Sequence, residues 1–153
     1  MHPMRRLALA TVLVLMAGSA SAADGLVRLA SPYSVAETAE RFVNKAKKRG
    51  LTIFKRVDHR AGAASVDMDL RPTRVVIFGN PKGGTPLMQC AQTVGIDLPM
   101  KALIWEDGSG QAWLGYNDPA YLAKRHELSD CPALAKVEKL LAELARDTVA
   151  EAE

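Results

Sequence analysis

Four residues, Asp107-Gly108-Ser109-Gly110, decide what kind of sheet this chain builds. They separate two runs, residues 101–106 and 111–117, that carry Ile104, Trp105, Trp113, Leu114 and Tyr116. A tight Asp-Gly turn between two apolar, aromatic runs folds them back on each other as an antiparallel hairpin. Further strand-like runs occupy residues 26–30, 51–58 and 74–79, and helical periodicity occupies the intervals and the C-terminal third. The predicted order is β-α-β-β-α-β-β-α-α. Amphipathic helices need an apolar sheet face to cover, so the class is α+β with helices packed on one side, not a doubly wound parallel sheet.

Helix boundaries are written into several segments. Ser34-Val35-Ala36-Glu37 matches a capping box. Val35, Ala39, Phe42, Val43 and Ala46 follow at helical spacing. Lys45, Lys47, Lys48 and Arg49 then fill a last turn before Gly50, where positive charge offsets the helix dipole and glycine ends the helix. That basic run is therefore a helix end and not a nucleic-acid patch. Residues 59–71 are small and mixed, and read as a loop holding at most one helical turn. Thr85 with Pro86 is expected to start a helix that ends near Gly95. A short helix over 119–126 and a long one from Pro132, with Leu134, Val137, Leu140, Leu141 and Leu144 on one stripe, complete the chain.

The first 22 residues read as an export leader. Arg5 and Arg6 precede an uncharged apolar run from Leu7 to Ala17, and Ala20-Ser21-Ala22 supplies a small-residue cleavage site. The run is shorter than the roughly 20 residues a membrane span needs. The expected mature chain, residues 23–153, is one periplasmic or secreted domain with no membrane insertion after leader removal. Lys plus Arg number 20 against 17 Asp plus Glu. Without the leader's two arginines the balance is close to neutral, which excludes the sustained positive field of a nucleic-acid binder. Cys90 and Cys131 lie 41 positions apart. In an oxidising compartment such a pair is a disulfide candidate, although Cys90 is also explained as a small buried helix residue.

Several motifs occur in order along the chain. They are Leu70-Arg71-Pro72-Thr73, Phe78-Gly79-Asn80-Pro81, Gly84-Thr85-Pro86-Leu87-Met88, Asp97-Leu98-Pro99-Met100-Lys101 and Tyr116-Asn117-Asp118-Pro119 with Tyr121-Leu122. Together they resemble the domain of unknown function 302 family (DUF302) over residues 26–144. The resemblance implies a curved antiparallel sheet similar to that of TATA-binding-protein-like folds, and a homodimer. It supplies no activity.

The chemistry-bearing residues fall at turns after strands. His59 and His126 are the two histidines beyond the leader, suited to proton transfer or ligand contact; a capping or surface imidazole also explains each. Asn80 and Asp118 precede prolines and favour turn initiation. Lys82, Thr85 and Lys101 suit an anion near a helix start. Tyr116 sits at a strand end, and Trp105 and Trp113 read as a cross-strand pair. No Gly-x-Ser-x-Gly elbow, His-Glu-x-x-His helix or phosphate-binding glycine loop is present in the sequence. Met68, Met88 and Met100 read as core filling rather than a soft-metal site. The expectation is a non-catalytic small-ligand-binding or accessory protein, with neither cofactor nor metal. One polar pocket would gather His59, Asn80, Lys82, Tyr116 and His126 around a small anionic or sulfur-containing ligand. The alternatives are a small hydrolase or redox enzyme with a histidine acid/base, and a protein-interaction module.

Overall fold

The computed structural model describes residues 25–151. The leader assigned to residues 1–22 lies outside the described residues. Strand β1 (Leu26–Ser31) leads into helix α1 (Val35–Lys48), then β2 (Thr52–Asp58), a short α2 (His59–Ala64) and β3 (Thr73–Gly79). Helix α3 (Pro81–Cys90), a 3-10 segment (Gln92–Ile96), β4 (Met100–Glu106) and β5 (Ala112–Asn117) follow. Helices α4 (Pro119–His126) and α5 (Pro132–Val149) close the chain. The strands form one sheet in the order β1-β5-β4-β3-β2, antiparallel at every pairing. This is the α+β architecture that the hairpin predicts.

Local chemistry explains the element ends. The Ser34 hydroxyl accepts the Glu37 N–H at 3.2 Å, and the basic last turn of α1 runs into Gly50 at φ +72°. Where the sequence reading places a loop, Asp58 caps α2 by accepting the Ala61 N–H at 3.0 Å. Helix α3 starts earlier than Thr85-Pro86 suggests. Asn80 is its cap, with Oδ1 accepting the Lys82 N–H at 2.9 Å, and Pro86 lies inside the helix. Asn80-Pro81 is itself a cap-and-proline pair, and Asn80 is also tied to the Gly50 carbonyl through its Nδ2.

Helices α1 and α5 cover one face of the sheet. Phe42, Leu141 and Leu144 pack with Val76, Phe78, Ile104 and Leu114 in the main core. Burying each such side chain contributes about 1.5–3 kcal/mol. Phe42 meets Phe78 edge-on, ring centroids 5.0 Å apart. A second cluster of Leu87, Val94, Leu128 and Cys131 joins α3, the 3-10 segment and the start of α5. Cys90, the last residue of α3, and Cys131, the N-cap of α5, stand at disulfide distance with Cα atoms 5.9 Å apart and are bonded. On the opposite face Trp105 and Trp113 are register partners, with ring centroids 6.4 Å apart.

Candidate functional site

A cavity of about 530 Å³ opens where β3 ends, β4 begins and α3 passes over α5. That is the size of a small-molecule site. Its walls are apolar: Phe78 and Met100 from the sheet, Leu87 from α3, Leu98 before β4, and Leu140 and Leu141 from α5. Phe54 and Met88 also line it and remain exposed, Phe54 at 53 %, so apolar surface continues outward at the mouth. Polar groups sit among Arg49, Asn80, Lys82 and Thr85.

The turn after β3 builds this place. Asn80 caps α3 with its oxygen, while its Nδ2 donates to the Gly50 carbonyl at 2.9 Å, tying the helix start to the end of α1. Gly83 and Gly84 follow without side chains. A Cβ at Gly84 would lie 3.6 Å from Leu98 Cδ1, inside the space that glycine leaves open. The two cations at the cavity differ. Arg49 is engaged by Asp147, whereas the Lys82 ammonium makes no ion pair among the described residues. The site therefore combines apolar walls with one available positive charge.

Of the five expected pocket residues, Asn80 and Lys82 line this cavity and His59, Tyr116 and His126 do not. The reason is strand direction. In a parallel sheet the turns after strands gather at one edge; in an antiparallel sheet they alternate. His59 follows β2, whose last residue pairs with Arg74 at the start of β3, whereas Asn80 follows the end of β3. One strand length separates them, about 20 Å. Tyr116 shares the correct end but points into the main core at 8 % exposure. Its burial, reinforced by Asp118, pushes the phenol pKa up.

His126 closes α4 and is buried. Its Nε2 lies 2.5 Å from Asp97 Oδ2, and its Nδ1 lies 3.0 Å from the Thr93 hydroxyl. With Nε2–H donating to the carboxylate, Nδ1 of a neutral ring accepts from Thr93. Arg125 also reaches Asp97, at 3.2 Å. This chain staples α4 to the 3-10 segment. Asp118, like Asn80, caps its helix, accepting the Ala120 N–H at 2.9 Å. Lys101 donates to the Asp97 and Pro99 carbonyls, each at 3.1 Å. Among the described residues no three His, Cys, Asp or Glu side chains converge as a metal-binding group.

Sequence reasoning missed the apolar lining. Leu140 and Leu141 lie on the stripe that reads as core, and Leu98 and Met100 lie in a recognised motif. Nothing local separates an apolar side chain facing a cavity from one facing a neighbour.

Comparison with known proteins agrees with the fold. A family model described as Domain of unknown function DUF302 matches residues 27–144. A crystal structure of an uncharacterized conserved protein DUF302 from Bacillus stearothermophilus superposes with a TM-score of 0.71 at 22 % identity. It covers 84 % of this chain and 100 % of that one. Among curated proteins, Fluoride-specific ion channel FluC 1 of Brucella suis biovar 1 (strain 1330) is 58 % identical over 105 residues, 69 % of this chain and 41 % of the channel. Fluoride-specific ion channel FluC 2 of Brucella melitensis biotype 1 is likewise 58 % identical over 105 residues, 39 % of its length. The chain thus spans about two fifths of the curated relatives it matches.

Proposed function

The chain belongs to the DUF302 family of domains of unknown function, and from that premise we propose that it is an exported binding protein for a small, mainly apolar molecule bearing one anionic group. The carrying observation is the cavity of about 530 Å³, walled by Leu87, Leu98, Met100 and Leu141 with the Lys82 ammonium at hand. Apolar burial supplies affinity there, and the single cation orients the ligand. The leader-like sequence of residues 1–22 supports the export part of this reading. An enzyme using a histidine would have to work through His59, which is exposed at the start of α2, or through His126, which is engaged by Asp97 and Thr93, and neither lines the cavity.

Two fluorescent probes test this reading: the anion 1-anilinonaphthalene-8-sulfonate and the uncharged N-phenyl-1-naphthylamine. Both are expected to bind. Lys82→Ala weakens the anion roughly two- to fivefold, the worth of one exposed charge, and leaves the neutral probe unchanged. Gly84→Leu fills the space toward Leu98 and abolishes both. Undiminished binding of both probes to folded Gly84→Leu overturns the reading.

The curated relatives favour a second reading. In proteins named fluoride-specific ion channels, a segment 58 % identical to this chain is part of a longer polypeptide. Covalent linkage raises the local concentration of one module near another, so a domain of this kind would act as an accessory to such a channel. Cells expressing a FluC channel should then change their fluoride tolerance when this chain is co-expressed in the same compartment. Identical growth curves over a fluoride series, with both proteins present, would dispose of the idea.

A further inference from the structure

We propose that the Cys90–Cys131 disulfide is an exchange site for a small anionic thiol, which attacks at Cys90. The two sulfurs are not equivalent. Cys90 is exposed at the end of α3, whereas Cys131 is 7 % exposed within the second apolar cluster. Exposed disulfides are the labile ones, while structural bridges resist exchange. An incoming thiolate therefore meets the Cys90 sulfur.

The surroundings select the reagent. Cys90 lines a groove of about 440 Å³ between α3 and α5, beside Pro86, Pro132 and Val137. Lys82 and Lys136 also line it, and no acidic side chain does. Neither ammonium makes an ion pair among the described residues. Their summed field draws a thiolate, and carboxylates on the same molecule, toward the groove. A cationic thiol receives no such help.

The step balances without a further reagent. The thiolate forms a bond to Cys90 Sγ, the Cys90–Cys131 bond breaks, and the electron pair leaves on Cys131 Sγ, which takes a proton from water. Cys90 then carries the mixed disulfide and Cys131 the free thiol. A second thiol attacking the adduct would release the small disulfide and leave both cysteines reduced. The proposal shares Lys82 with the cavity but needs no ligand there, since the exchange uses only the groove and the bond.

The test uses the native oxidised protein with reduced glutathione as the anionic thiol and cysteamine as the cationic one. Each rate is normalised to the same thiol's rate with 2-hydroxyethyl disulfide. After an acid quench and alkylation, peptide mapping should place the adduct on Cys90 and the alkyl group on Cys131. Glutathione should be favoured over cysteamine by roughly five- to tenfold at low salt. That preference should collapse toward one in Lys82→Ala/Lys136→Ala, whose melting temperature provides the folding control. An adduct on Cys131, exchange seen only in urea, or a preference unmoved by removing both lysines would each overturn the proposal.

Discussion

The Asp107 side chain gathers four donors of the hairpin turn and its returning strand. Its Oδ1 accepts the Ser109 hydroxyl at 2.6 Å, the Ser109 N–H at 2.8 Å and the Gln111 N–H at 3.1 Å, while Oδ2 accepts the Trp113 indole N–H at 2.8 Å. The Ser109 hydroxyl, then the indole, then the Ser109 amide hold this carboxyl well below its usual value of 3.8. A carboxylate whose pKa falls on folding stabilises the fold above its unfolded value. That contribution is complete above about pH 4 and is lost as pH drops through the lowered value. Urea midpoints measured from pH 6 to pH 2 should therefore fall more steeply for the native chain than for Asp107→Asn. Parallel curves would show that the carboxylate's charge is irrelevant. The turn was readable from Asp-Gly alone, but the Trp113 contact was not, since it depends on the cross-strand register with Trp105.

Among the elements, α3 shows where local reading stops. Asn80-Pro81 and Thr85-Pro86 are equivalent start signals, and the spacing of apolar residues does not choose between them. The choice is tertiary: Asn80 alone also donates to Gly50, across the α1–β2 turn. Asn80→Ala is expected to cost about 1 kcal/mol, the loss of a helix cap. Thr85→Ala at an exposed position inside the helix should stay within about 0.5 kcal/mol. Chemical denaturation of the two variants checks this, and equal losses would reassign the cap. The same limit explains the histidines. Each lies at a turn, as its context suggests, but only strand direction tells which edge of the sheet that turn occupies.

For the whole molecule, sheet class and, apart from α2, element order were legible, and the cysteines were legible as a candidate pair, because hairpin, caps and a pair of cysteines are local or countable signals. The cavity was not, because its walls come from both sheet strands and helices that read only as core. The disulfide fastens α3 to α5 across a 41-residue separation, and both helices wall that cavity. Cys90→Ser/Cys131→Ser should lose about 3–4 kcal/mol in the chain-entropy view, measured by urea unfolding, with the naphthalene probes bound less tightly. Full retention of both would mean the second apolar cluster already holds the helices together. The sheet order has a further consequence in time. Strand β1, among the first described residues, pairs only with β5, whose residues 112–117 are made some eighty positions later. A growing polypeptide can assemble α1, β2 and β3 while its leading strand still waits unpaired. Closure of the sheet thus acts as a completion check: a nascent chain broken off just before residue 112 leaves the outer edge of β4 open and β1 without its partner.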